Sequence, residues 1–173
     1  MRLTTRHAAN LGVLVAVSIV LTRVFGFVIG PGGILRISLG EVPIILAGVL
    51  FGPVGGGLTG IAADVIGVGI NSHGGVPHPG FTLSAALTGS IPGLLLHTRR
   101  DSLKIWQIGL VVLLTDLITG LFLNTLWLAM LIEKDFFVVL LPRLLSRPVI
   151  LPVYTLVVFW VNRAYQSYLR GLI

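Results

Sequence analysis

The sequence predicts an all-α membrane protein: a six-transmembrane-helix bundle with both termini cytoplasmic. Three observations predict it. The 173 residues are 55% hydrophobic and only 10% charged, where a soluble domain carries about 25% charged residues. Mean hydropathy is +1.01. Long apolar runs alternate with short stretches that hold the glycines, prolines and charges, and a helix crossing hydrocarbon satisfies its own backbone polar groups. Residues 1–173 read as a single integral membrane domain, because nearly every segment is needed to span.

Composition also excludes functions. There are no cysteines, which removes disulfides, thiolate metal sites and cysteine nucleophiles. The net charge of +6 reads as the positive-inside bias of a membrane protein. No basic stripe with interleaved aromatics points to nucleic acid. The glycines at 55–57 lack the Gly-Lys-Ser/Thr that completes a phosphate-binding loop, and no G-x-S-x-G, H-E-x-x-H or aspartate-rich metal motif occurs. An enzyme is therefore disfavoured, and no cofactor or metal is expected on this chain.

The elements follow in order. Helix 1 is predicted over 7–25, behind a basic start (Arg2, Arg6), and is read as retained rather than cleaved. Ala8, Gly12 and Ala16 recur every four residues and form a small-residue stripe suited to close helix approach. Either internal packing or docking of a partner subunit explains it. A glycine-rich loop with Arg36 leads to a short helix over 41–51, a tight turn at Gly52-Pro53, and a helix over 54–70. Gly52, Gly56, Gly60 and Asp64 repeat at i, i+4, so a glycine groove runs along one face toward an acid. The loop NSHGGVPHPGF holds too many glycines and prolines for a continuous helix. Helix 4 is predicted over 82–96 with a kink at Pro92. A charged linker follows at 97–104, a long helix over 105–131, a polar turn at 133–135, a partial or surface-lying helix over 136–145, and a last helix over 147–163.

Six spans put both ends on one side. Arg2, Arg6, Arg99, Arg100, Lys104, Arg163 and Arg170 then share that side in short tails and one linker, as cytoplasmic charges do. The same topology gathers polar groups at the outer face: Arg23, Arg36, Asp64, His73, His78, Asn124, Trp127, Arg143 and Arg147. Ionisable groups inside apolar sequence mark function by default. Each also has a plainer reading. Asp64 can pair with Arg36 or Arg23, Asn124 can bond between helices, and Trp127 can belong to an interfacial belt. Arg143 and Arg147 can snorkel, and the two histidines lack a third metal ligand. Asp116, Gly120 and Asn124 form another i, i+4 row, which we read as helix packing. Outer arginines suit a carboxylate-bearing ligand, Asp64 suits an aminopyrimidine-type donor pair, and Trp127 and Phe81 offer flat faces to an aromatic ring. The spacing carries the argument as far as an anionic aromatic small molecule.

Four blocks, PGGILRISLGEVPIILAGVLFGPVGGGLTGIAADVIG, HPGFTLSAALTGSIPG, NTLWL and LPRLLSRPVILP, resemble the substrate-binding S components of energy-coupling factor (ECF) vitamin transporters, specifically the folate type. The resemblance runs from helix 1 to helix 6. It implies a bacterial plasma-membrane protein that captures folate or a related pterin near the outer face. It also implies two kinds of partner: a transmembrane coupling protein, EcfT, and two ATPases that use the ATP. The stripe of Ala8, Gly12 and Ala16 is similar to the family's alanine-rich docking pattern. Residue by residue, the resemblance adds Arg36 in R-I-S, Asp64 in A-D-x-x-G, Asn124 and Trp127 in N-T-L-W, and Arg147 as ligand-binding residues. It adds Pro79 and Gly80, with Phe81, as an outer gate. Two departures stand out: many relatives carry glycine and phenylalanine where Ser38 and Leu39 stand, and Asp116 occupies a position expected to be neutral. An S component for another vitamin or small anionic aromatic, and a stand-alone carrier, stay open as alternatives.

Overall fold

The computed structural model describes residues 5–29, 35–70 and 77–170. Helix α1 spans Thr5–Arg23. A two-stranded antiparallel hairpin follows, β1 Phe27–Ile29 pairing with β2 Leu35–Ile37. Helix α2 is Glu41–Ile70, α3 Pro79–Leu96, α4 Ile105–Asp116, α5 Asn124–Leu131 and α6 Phe136–Arg170. A 3₁₀ turn, His97–Ser102, extends α3, and a π-helical stretch, Leu117–Leu123, joins α4 to α5 without a break. Among the described residues four helical runs are long and apolar enough to cross a membrane: Glu41–Ile70, Pro79–Ser102, Ile105–Leu131 and Phe136–Tyr168; the apolar run His7–Arg23 is shorter.

Helix α2 is one run with a reversal inside it. Gly52 sits at φ 85°, ψ 178°, outside helical space, a conformation that glycine adopts without a Cβ penalty. Pro53 then starts the second arm with no N–H to offer. The arms fold back on each other, because a Cβ on Gly56 would lie 2.7 Å from Gly48 Cα; in a straight helix these residues stand about 12 Å apart. The turn expected at Gly52-Pro53 is thus a hairpin of two helical arms. Its free carbonyls are capped from the 3₁₀ turn: His97 Nδ1 lies 3.0 Å from Val49 O, and Arg100 Nη1 donates to Leu50 O at 2.6 Å.

Lipid tails are as apolar as leucine, so helices associate here through close packing rather than expulsion of oil from water. The α2–α3 seam does this with almost no side chains. A Cβ on Gly48 or on Gly56 would collide with the Gly89 carbonyl, one on Gly60 with Ala85 O, and one on Gly93 with Pro53. Of the row Gly52, Gly56, Gly60 and Asp64, the glycines at 56 and 60 form the α3 contact face, whereas Gly52 is the non-helical turn itself and faces His97. Beside it lies an apolar cluster that joins Val42, Ile45 and Val49 of α2 to Ile108 and Val112 of α4 and to Ile150, Tyr154 and Val158 of α6.

Buried hydroxyls are satisfied locally. Thr59, Ser84, Thr88, Thr115, Thr119 and Thr155 each donate to a carbonyl four residues back. Thr88 Oγ1 also lies 3.0 Å from Thr119 Oγ1, a polar link between α3 and the π stretch.

Element boundaries differ from the sequence reading: α1 is Thr5–Arg23 rather than 7–25, a hairpin lies within the loop expected between the first two helices, and the last helix runs to Arg170 rather than 163. Helix α3 begins at Pro79 rather than at 82, because His78 caps it: Gly80 N donates to His78 Nδ1 at 3.1 Å, and proline suits the first helical position. Residues 136–145 and 147–163 form one helix, not two. Pro142, Pro148 and Pro152 all lie inside α6. Membrane helices tolerate such prolines when hydroxyls and neighbouring groups satisfy the freed backbone.

Candidate ligand site

The first turn of α3 and the π–α5 junction meet at Gly80. A Cβ there would run into the Trp127 indole, at 2.6 Å from Cε2. Only glycine lets the ring lie flat on the α3 backbone. His78 closes on the same ring, with centroids 5.5 Å apart and planes tilted by 36°, and Phe81 sits edge-on to His78 at 6.0 Å. Pro79, Gly80, Phe81 and Trp127, read separately from the sequence, are therefore one assembly. Trp127 Nε1 is buried and has no hydrogen-bond partner among the described residues.

One helical turn away, Asn124 Oδ1 is also buried without a partner among the described residues. Behind it stands a group of charges. Asp116 is 3% exposed in its side chain and Arg147 14%; Arg147 Nε lies 2.9 Å from Asp116 Oδ2. The contact is an ion pair whose alignment falls short of a hydrogen bond, so both Asp116 oxygens keep unused acceptor capacity. Gly120 makes room for the pair, since a Cβ there would collide with Asp116 Oδ1 and reach within 2.8 Å of Arg147 Nη2. Arg143 Nη1 points at Gly120 O and Thr125 Oγ1, each at 3.4 Å. Glu41, at the start of α2, acts electrostatically on both Asp116 and Arg143. Two guanidinium groups thus face two carboxylates inside an apolar bundle.

A second polar group lies along α2. Asp64 accepts a hydrogen bond from Thr82 Oγ1 at 2.7 Å and attracts Arg23, whose guanidinium packs over Gly67, 3.1 Å from where its Cβ would be. Thr82 follows Phe81, so the α3 first turn connects the two groups.

Trp127, Phe81, Pro79 and Gly80 come together where α5 meets α3, Asn124 lies one turn before Trp127, Arg147 of α6 pairs with Asp116 of α4, and Arg23 of α1 lies near Asp64 of α2. Arg36 lies in β2, paired with Val28 across the hairpin, and its side chain is outside the described residues, as is His73. Ala8, Gly12 and Ala16 lie on α1; nothing stands within 4 Å of a Cβ added to Gly12, so that face is open. Asp116, read as a packing residue, is an ion-pair partner of Arg147, and Arg147 is buried in that pair rather than snorkelling. Glu41, Thr82 and Gly120 join the site without having been expected there from sequence. Only Gly120 carries a signal, as the middle of the Asp116–Asn124 row. Among the described residues no three metal-ligating side chains converge.

This arrangement can hold a flat polar molecule. It offers an indole face, an unpaired N–H donor, unpaired amide and carboxylate acceptors, and guanidinium groups close by.

The chain is similar to several known proteins. A family profile described as the ECF-type riboflavin transporter S component matches residues 2–158. A folate transporter, FolT, of Clostridium novyi is 32% identical over 126 residues, covering 73% of this chain and 72% of the relative. A folate transporter FolT of Leuconostoc mesenteroides is 28% identical over 157 residues, covering 88% and 82%. A solved structure, the crystal structure of FolT bound with folic acid, superposes with a TM-score of 0.82 at 29% identity, covering 93% of this chain and 95% of that one. The chain belongs to the S components of ECF-type transporters.

Proposed function

We propose that this chain is the substrate-binding subunit of an ECF vitamin importer, and that it captures folate or a related pterin outside the cell. The observation that carries this reading is the pair of buried atoms without partners among the described residues, Asn124 Oδ1 and Trp127 Nε1, beside the indole ring that packs on Gly80. A pterin ring presents donors and acceptors on its edge and a π-face, and this corner offers complements to both. The names and folic acid ligand of the similar proteins support the same class. Arg147, with Arg36 and Arg23, supplies positive charge for a carboxylate tail. Asp64 holds the Arg23 side of the site. Pro79 and Gly80, in the first turn of α3, serve with Phe81 as an outer gate.

The finer topology belongs to the same reading. The two α2 arms count as separate spans, giving six, with both termini in the cytoplasm and the chain in the bacterial plasma membrane. Ala8, Gly12 and Ala16 dock on EcfT, and two partner ATPases use ATP to drive delivery.

A second reading has one observation behind it: the matching family profile is described by riboflavin. Riboflavin is also a flat heteroaromatic with a polar pyrimidine edge. Titration of the purified chain in detergent with folate and with riboflavin, followed by tryptophan quenching and calorimetry, separates the two. Saturable one-to-one binding of folate, abolished in Trp127→Ala and Asn124→Leu, is the expected result. Binding of riboflavin alone would replace the ligand and keep the site, and binding unaffected by either substitution would remove the site.

A further inference from the structure

At the other end of the α4–α6 pair a polar cavity of about 290 Å³ opens between the 3₁₀ turn and α6, lined by Arg100, Asp101, Asn162, Arg163, Gln166 and Ser167. Asn162 is 5% exposed. Its Nδ2 donates to Arg100 O at 3.0 Å, and its Oδ1 has no partner among the described residues. Gln166 Nε2 is likewise buried and unpartnered among them. Arg100 is fixed in place by its bond to Leu50 O, and Arg163 rests 6.0 Å from the Trp160 ring. The cavity therefore presents two guanidinium groups, one spare amide donor and one spare amide acceptor.

An apolar groove of about 410 Å³ continues from it, lined by Ile105, Gly109 and Leu113 of α4 and by Pro152, Thr155 and Leu156 of α6. The two features share one stripe. Pro152, Thr155, Phe159, Asn162 and Gln166 recur at three- and four-residue steps along α6, and so lie on one helical face. The polar end sits at residues 103–104, the short link between two consecutive apolar runs, Pro79–Ser102 and Ile105–Leu131, and so at the membrane boundary.

We infer that the α4–α6 seam is a phospholipid site, with the headgroup in the polar cavity and one acyl chain along the groove. The donors (Arg100, Arg163, Gln166) suit a phosphodiester. Asn162 Oδ1 needs a donor in return, which glycerol and ethanolamine headgroups carry and choline lacks, while the Asp101 carboxylate, 3.9 Å from Arg100 Nε, is already engaged. Buried amide atoms left unpaired are costly, so such a headgroup is selected over phosphatidylcholine. The inference is independent of which vitamin the chain binds.

The test is native mass spectrometry of the detergent-purified chain titrated with phosphatidylglycerol, phosphatidylcholine and free glycerol phosphate. One phosphatidylglycerol is expected per chain, held about tenfold more tightly than phosphatidylcholine, as one or two lost hydrogen bonds require. Free glycerol phosphate, lacking the chain for the groove, is expected to bind more weakly still. Asn162→Leu, which removes the acceptor, is expected to erase the preference, Gln166→Leu and Arg163→Gln to weaken retention of both lipids, and Gly109→Leu, which fills the groove, to do the same. Equal retention of the two lipids by the unsubstituted chain, an unchanged preference in Asn162→Leu, or unchanged retention in both Gln166→Leu and Arg163→Gln would overturn the proposal.

Discussion

Arg147 Nε and Asp116 Oδ2 stand 2.9 Å apart with hardly any solvent on either side chain. The pair crosses from α6 to α4, and Gly120 leaves the space it occupies. Breaking a buried pair leaves an uncompensated charge, which costs about 3–5 kcal/mol in proteins. Asp116→Asn and Arg147→Gln are each expected to lower thermal stability in detergent. The double variant is expected to recover part of the loss, with a coupling above about 1 kcal/mol. Additive losses in melting curves would mean that the two groups do not act as a pair.

Trp127 reports on the α3 first turn. Gly80→Ala places a methyl where the indole lies and is expected to push the ring toward a wetter position. The expected readout is a red shift of tryptophan emission in Gly80→Ala against the unsubstituted chain, together with weaker folate binding. Trp106 and Trp160 are exposed on the surface, so Trp106→Phe/Trp160→Phe is the background in which to measure it. Unchanged emission would show that Trp127 is not held against Gly80.

Asp64 and Thr82 bind α2 to α3 through one side-chain bond of 2.7 Å. Thr82→Val removes the donor at nearly constant volume and leaves the carboxylate to Arg23. A bond to a charged group contributes about 1.5–3 kcal/mol, so Thr82→Val is expected to cost roughly that much in stability. Asp64→Asn keeps the acceptor and loses the charge, and is expected to weaken ligand binding more than it weakens the fold. A fold loss in Asp64→Asn larger than in Thr82→Val would make Asp64 a structural ion partner first.

The α2–α3 seam separates glycines that the fold needs from those it does not. Gly56→Val and Gly60→Val put side chains into backbone atoms of Gly89 and Ala85, and overpacking of this kind costs about 1–3 kcal/mol or more. Both are expected to abolish monodisperse protein in size-exclusion chromatography. A Cβ at Gly12 meets nothing within 4 Å among the described residues, so Gly12→Leu extends from an open face of α1. It is expected to fold and bind ligand normally while failing in transport with the partner subunits. Normal transport by Gly12→Leu would remove the docking role of α1.

Much of the molecule is legible along the chain and little of it across the chain. The row Gly56, Gly60, Asp64 is visible because i, i+4 spacing is a local property of any helix, and it marks the seam and the Thr82 contact. The Gly52-Pro53 reversal is visible because glycine followed by proline breaks a helix in a known way. Trp127 on Gly80 is a contact between segments far apart in sequence, and neither residue announces the other. Asp116 reads as packing for the same reason: its partner, Arg147, lies on another helix. The continuity of α6 through Pro148 is hidden because proline reads as a break in water, where no neighbouring helix takes up the freed carbonyl.

The π stretch Leu117–Leu123 has a consequence for how this site can vary. Asn124 N reaches back to Thr119 O, five residues rather than four. The chain thus carries a surplus residue between the charged pair on α4 and the Asn124–Trp127 corner on α5. Deleting one residue there would restore ordinary helical register and swing Asn124 and Trp127 by about 100° relative to Asp116. The ion pair would stay behind while the indole turned to another face. Insertions and deletions in these seven residues are thus a phase adjustment, able to re-aim one half of the site without changing any residue in it.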